Sequence, residues 1–308
     1  MNETPTAYQA SDDEIDLRVL FKAIWQGKWI ILLFAVACAI AGIVYAKLQP
    51  DIYDAHATLA PKDGGGSNSG GGLQGLASLA GVNLGGEGSN QTVIAQEVLK
   101  SRAFLSDFIE RHQYAPKLAA VAGWNPSSGE IRYDSERFDP ENNQWQTNDQ
   151  GQSLKPTDWT LVNQLRSAFG VSSNKNTGMV MVNFQHQSPV FARELVENLV
   201  RDINDHMRKL DVEEAERSID YLENKIQETS IAGMQQVFFQ LIETETRKVM
   251  LAYSSPEYVF KTIDPAVVPQ VPSQPKRKLI VIVATMAGGL FGVLVVLLRS
   301  FFSKRDPE

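Results

Sequence analysis

Cysteine is all but missing from this 308-residue chain: the one present, Cys38, has no partner with which to form an internal disulfide. Any fold must therefore be held by buried surface alone. Histidine is scarce too, with His56, His112, His186 and His206 scattered along the chain and no His-Glu-x-x-His, Cys-x-x-Cys or paired-histidine spacing to gather a metal. No Gly-x-x-x-x-Gly-Lys-Ser/Thr loop occurs, so there is no phosphate cradle of that kind. Positive charge is in deficit: 29 Lys and Arg against 36 Asp and Glu leave a net charge of -7, and no basic run is interleaved with aromatics. Those features argue against a nucleic-acid partner. We expect no cofactor, no metal, no catalytic residue and no enzymatic activity.

Against these absences stand two long uncharged apolar runs. Leu279 to Leu298 follows the basic triplet Lys276-Arg277-Lys278 and ends at Arg299. About 20 helical residues at ~1.5 Å each match a hydrocarbon core of roughly 30 Å. Near the other end, Trp29 to Ala46 lies between Lys28 and Lys47, with Trp25, Trp29 and Tyr45 at interfacial positions. A late start, an acidic lead (Asp12, Asp13, Glu14, Asp16) and the lack of a small-x-small exit make the first run a retained span and not a cleaved signal. The chain thus reads as residues 1–28 tail and lead-in, 29–46 first span, 47–278 middle domain, 279–298 second span and 299–308 tail. Arg18, Lys22 and Lys28 before the first span outweigh Lys47 behind it, which places both termini in the cytoplasm and the middle domain outside the inner membrane.

Between the spans, Ile52 to Leu59 alternates like a strand, and Asp63 to Asn90 is rich in glycine and reads as a flexible loop with a short apolar segment (Leu73 to Leu84) in its second half. Thr92 to Gln113 has one apolar face at helical period with a break near Ser101. Gly123 to Pro156 is polar with irregular aromatics (Trp124, Tyr133, Phe138, Trp145) and has no assignable structure. A helix from Asp158 to about Phe169 and a hairpin turning at Asn174 to Gly178 follow. Ser188-Pro189 is a helix start, and an apolar stripe of Leu195, Leu199, Ile203, Leu210, Ile219 and Leu222 carries one helix from 189 to about 229, close to 60 Å at ~1.5 Å per residue. A second helix spans Ala232 to Ala252, and Tyr258 to Ile263 alternates as a returning strand. The fold class is α+β with a long helical arm. That arm reads as surface too large for one subunit to bury, and so as a site of self-association or coiled-coil packing. Asp211, Glu213, Glu214 and Glu216 read as a solvated face or as intersubunit ion pairs with Arg208, Lys209 and Arg217.

Two small patterns close the reading. Gly288 and Gly292 share a helix face, where small residues permit close approach in lipid, either to the first span near Ala39 and Gly42 or to a neighbouring subunit, although glycine is common in spans. Pro265, Pro269, Pro272 and Pro275 form either a stiff collar beside the second span or a plain exit linker.

The order of these parts resembles the polysaccharide co-polymerases, the Wzz-type chain-length determinants of bacterial O-antigen. The residues that carry the resemblance are Leu17 to Trp29, Gly75 to Gly81, Ala215 to Ile219, Phe260 to Ala266, and Pro275-Lys276 followed after eleven residues by Gly288 and then Gly292. The prolines crowd at Pro269 and Pro272 more than is usual for that family. The resemblance implies a ring-like homo-oligomer in the inner membrane that sets the modal length of glycan made by a Wzy-type polymerase, with lipid-linked glycan as a further partner. A structural adaptor for capsule or exopolysaccharide export is the alternative.

Overall fold

The computed structural model describes residues 25–62 and 87–303. It divides into two units, one running from Asp51 to Ser273 and the other made of the flanking segments. The tail, the lead-in at Ile15 to Ile24, the stretch 63–86 that includes the Leu73 to Leu84 segment and the Gly75 to Gly81 motif, and residues 304–308 lie outside the described residues.

In the central unit the chain forms β1 (Tyr53–Pro61), α2 (Glu87–Lys100), α3 (Arg102–Arg111), α4 (Ala115–Ala119) and β2 to β5 (Val121–Trp124, Ile131–Tyr133, Phe138–Asp139, Gln144–Trp145). It continues with α5 (Asp158–Ala168), β6 (Phe169–Ser173), β7 (Val180–His186), α6 (Pro189–Glu228), α7 (Ala232–Tyr253) and β8 (Phe260–Asp264). Helix α1 (Lys28–Leu48) and helix α8 (Arg277–Ser303) belong to the other unit. The unassigned stretch 123–156 thus contains strands, paired as two small hairpins, β2 with β3 and β4 with β5. Helix α2 begins at Glu87, inside the stretch read as glycine-rich loop, and the expected break falls at Ser101, whose hydroxyl accepts the Phe104 N–H at 3.2 Å and caps α3.

Four strands make the main sheet in the order β6-β7-β1-β8, every pair antiparallel. The first and last strands of the unit are therefore neighbours, with Leu59 opposite Thr262. Ala55, Ala57 and Leu59 on β1 and Val180, Val182 and Phe184 on β7 alternate onto one buried face, while His56 and Met181 face the other way and are exposed. Such one-sided burial is what an antiparallel sheet with a single covering layer produces.

The first half of α6 covers that face. Ser188 accepts the Phe191 N–H at 3.3 Å, Pro189 sits in the first turn, and Phe191, Ala192, Leu195, Val196, Leu199 and Ile203 are buried in the core. The arm is thus two things in one helix. Leu195, Leu199 and Ile203 are at 0% exposure and belong to the core of their own chain, which corrects the reading of them as surface for another subunit. Leu210 is exposed, and past Ala215 the helix leaves the core and packs against α7 as an antiparallel hairpin, with Ile219 and Leu222 half-buried.

Candidate functional site

The described residues hold no group of three or more His, Cys, Asp or Glu side chains placed for a metal. Each histidine has its own surroundings. His112 Nε2 meets Asp202 Oδ2 at 2.8 Å, His206 lies edge-on to Phe104 at 5.4 Å, and His56 is exposed. His186 donates from Nε2 to the Lys117 carbonyl at 2.9 Å and accepts the Ser188 N–H on Nδ1 at 3.0 Å. Burial, which penalises the charged ring, pushes its pKa down to about 4.

Helices α1 and α8 are long and apolar enough to cross a membrane. They lie antiparallel, and the glycines sit at their contact. A Cβ on Gly288 would stand 2.6 Å from Cys38 Cβ and 2.7 Å from the Phe34 carbonyl oxygen; one on Gly292 would stand 2.8 Å from Ile31 Cα. Gly42 faces Ala284 in the same way, at 2.8 Å from its Cβ, and Gly27 faces Val296. Phe34 and Phe291 pack edge to face at 5.4 Å, and Arg277 Nε reaches the Ala46 carbonyl at 3.3 Å. The partner of Gly288 and Gly292 is the first helix of the same chain, at Ile31, Phe34 and Cys38. The four prolines lie along a stretch that is neither helix nor strand between β8 and α8, where Ser273 ties back to the Ile52 carbonyl through its N–H at 2.8 Å and its hydroxyl at 3.0 Å.

A second gathering of side chains is built by the hairpin β2–β3, α4 and the first turns of α6. These enclose an open groove of about 930 Å³, lined among others by Lys117, Trp124, Asn125, Arg132, Tyr133 and Glu194. Lys117 bonds both Glu194 oxygens, at 3.1 and 3.2 Å, and its ammonium lies over the Phe191 ring at 5.1 Å. Glu194 also accepts the Tyr114 hydroxyl at 3.1 Å. The Tyr133 phenol is pushed up in pKa by burial and by the nearby Glu194 charge. Trp124 packs edge-on to Tyr53 at 5.5 Å, with its indole N–H buried and no acceptor in reach.

Sequence reasoning passed over two buried polar residues that organise this unit. Asn204 is 3% exposed; its Oδ1 accepts the N–H groups of Tyr258, Val259 and Phe260 at 3.0, 2.9 and 2.9 Å, and its Nδ2 donates to the Phe260 and Val200 carbonyls at 3.1 Å each. Asp202 is 4% exposed and takes Arg111 at 3.1 Å along with His112. Their signal was faint: Arg201, Asp205 and His206 are polar neighbours in the same stretch, and only the helical spacing of Asn204 from Val200 and of Asp202 from Leu199 sets them on the buried face. Among the acidic residues expected on a solvated face, Asp211 instead accepts the Tyr258 hydroxyl at 2.6 Å.

Comparison with known proteins bears on both ends of the chain. The family model described as "Chain length determinant protein" (Wzz) matches residues 13–112, and the one described as "G-rich domain on putative tyrosine kinase" matches residues 229–301. No curated protein matches the chain. A solved structure described as a "full-length bacterial polysaccharide co-polymerase" aligns over 96% of this chain and 100% of its own at 13% identity, with a TM-score of 0.40. A chain-length-determinant region thus runs through the first apolar helix and β1, and a second matched region through α7, β8 and the last apolar helix, a pairing that supports the polysaccharide co-polymerase family.

Proposed function

We propose that this chain regulates the length of a polysaccharide, the O-antigen of lipopolysaccharide, without making or breaking a glycosidic bond itself. It acts as a homo-oligomer in the inner membrane beside a Wzy-type polymerase. The observation that carries this reading is the chain-length-determinant match over residues 13–112, which runs through α1 and into the main sheet. Two further features support it. Helices α1 and α8 offer two spans at opposite ends of one chain. The α6–α7 hairpin leaves Tyr221, Val237, Phe239 and Leu241 exposed, apolar surface that a second subunit would cover. The basic residues ahead of the first span support an orientation with both termini in the cytoplasm and the middle domain in the periplasm. Gly42, Gly288 and Gly292 act in this reading as the packing seam of the two spans, and Pro265, Pro269, Pro272 and Pro275 as the collar beside it.

A second reading, a structural adaptor for capsule or exopolysaccharide export, is favoured by the match of residues 229–301 to a domain described on putative tyrosine kinases. One experiment separates the two. In a strain lacking this protein, the lipopolysaccharide ladder is expected to lose its modal cluster of long chains and to regain it on re-expression. An unchanged ladder with lost capsule would establish the adaptor reading instead.

A further inference from the structure

We propose that the groove between the β2–β3 hairpin and the first turns of α6 is a glycan-binding site that holds a short stretch of polysaccharide through Trp124 and Tyr133. The proposal rests on the chain-length reading for the identity of the glycan, and on the groove itself for the chemistry.

The groove has the mixture that a pyranose needs. Sugar rings present apolar C–H faces and a rim of hydroxyls, so their sites combine flat aromatic carbon with polar groups of both signs. Here Trp124 and Tyr133 supply the aromatic surface, with Asn125, Glu130, Arg132, Lys117 and Glu194 around them. Because the Trp124 N–H is buried, what this residue shows to the groove is ring carbon and not a donor. About 930 Å³ is at the upper end of the roughly 300–1,000 Å³ usual for ligand sites and leaves room for several sugar rings.

Charge decides against an anion. Lys117 and Arg132 are matched by Glu130 and Glu194 within the same lining, and Lys117 already spends its ammonium on both Glu194 oxygens and on the faces of Tyr114 and Phe191. A phosphate or an acidic headgroup would meet no free excess of positive charge, whereas hydroxyls can donate to Glu130 and accept from Arg132.

The site is also firm. Across the hairpin turn the Asn125 N–H donates to the Glu130 carbonyl at 3.0 Å, the Gly129 N–H donates to the Asn125 carbonyl at 2.9 Å, and Asn125 Oδ1 accepts the Ser127 N–H at 3.0 Å. Gly129 takes φ +70, a left-handed conformation that suits glycine. On the opposite wall, Glu194 is held by Tyr114 and Lys117. Ordering a glycan against walls that are already fixed costs less than closing a loop around it.

The test uses the full-length protein in mild detergent, with polysaccharide released by mild acid from the lipopolysaccharide of the same strain as probe and dextran as control. Saturation-transfer NMR is expected to show saturable binding of the released polysaccharide. Binding should weaken at least ten-fold in Trp124→Ala and in the doubly substituted Glu130→Ala, Arg132→Ala protein, whose two side chains are exposed and outside the core. It should be unchanged in Trp145→Ala, on the neighbouring hairpin. Wild-type affinity in the correctly folded exposed-residue variant and in Trp124→Ala would overturn the proposal, as would the absence of any binding to wild type. The ladder of cells lacking the protein separates this from the function: a deletion that alters the ladder while the groove variants bind normally sinks the groove alone. Groove-dependent binding with a ladder unaffected by deletion sinks the chain-length reading alone.

Discussion

Asn204 does what no apolar residue could at its position. The chain entering β8 presents three successive N–H groups to the buried flank of α6, and one amide oxygen takes all of them. Removing it strands donors away from water, at about 1–3 kcal/mol for each one left unpaired. Asn204→Ala is therefore expected to cost roughly 3 kcal/mol or more of unfolding free energy. Urea unfolding of the detergent-solubilised protein would show it as a lowered midpoint, and an unchanged midpoint would mean that water replaces the amide. His186 gives the domain a pH dependence of definite sign. Above about pH 6.5 the ring is neutral in both folded and unfolded chains. As pH falls, the unfolded chain takes up a proton first, since the folded ring stays neutral down to about 4. The contribution of this site is thus fully present above the unfolded value and is lost as pH falls through the window towards 4, by roughly 3 kcal/mol in all. His186→Gln should flatten that slope between pH 6.5 and 4 while leaving the plateau above it; an identical slope in wild type and variant would refute the assignment.

At the scale of elements, the long helix divides by burial and its two halves should respond differently to substitution. Leu199→Ala, in the core half, should destabilise by about 2–5 kcal/mol through lost contacts and the cavity left behind. Leu210, exposed at 42%, should tolerate Ser with little change in the unfolding midpoint. Much of this element was readable from the chain: the Ser188-Pro189 start, the 3.6-residue stripe and the proline-free run all pointed to one helix over 189–229, and Pro189–Glu228 is what forms. What could not be read is which neighbour each stripe residue meets, because a periodic pattern states that a face is buried and not by whom. Leu195 and Leu222 look alike in sequence, yet one meets the sheet and the other α7. The short strands of 123–156 were illegible for a different reason. Strands of two to four residues have too few alternations to show a period, and their hairpins are fixed by aromatic contacts such as Phe138 with Trp145 at 5.4 Å, between residues seven positions apart. The groove that uses Trp124 and Tyr133 was hidden with them. The seam of α1 and α8 was half legible: the glycine spacing announced a close contact, while Ile31, Phe34 and Cys38, which receive it, carry no mark of their own. Gly288→Leu would drive a side chain into the Phe34 carbonyl, so the helix pair should separate and become protease-sensitive in detergent; a protected pair would show that the seam can yield.

For the whole molecule, the proposed function requires that subunits anchored by two helices assemble and that the assembly, not a catalytic residue in any one of them, controls how long a polymerase continues. Exposed Tyr221, Val237 and Phe239 on the α6–α7 hairpin are where assembly should be sensitive. Replacing Phe239 by Glu should lower the oligomer mass seen by light scattering in mild detergent without moving the unfolding midpoint. The most direct measurement is reconstitution: a Wzy-type polymerase in proteoliposomes with its lipid-linked repeat unit, with and without this protein, and the product lengths compared. A broad, short-weighted distribution is expected to become a cluster about one modal length when the protein is present. The same distribution with and without it would rule out control of chain length by this protein.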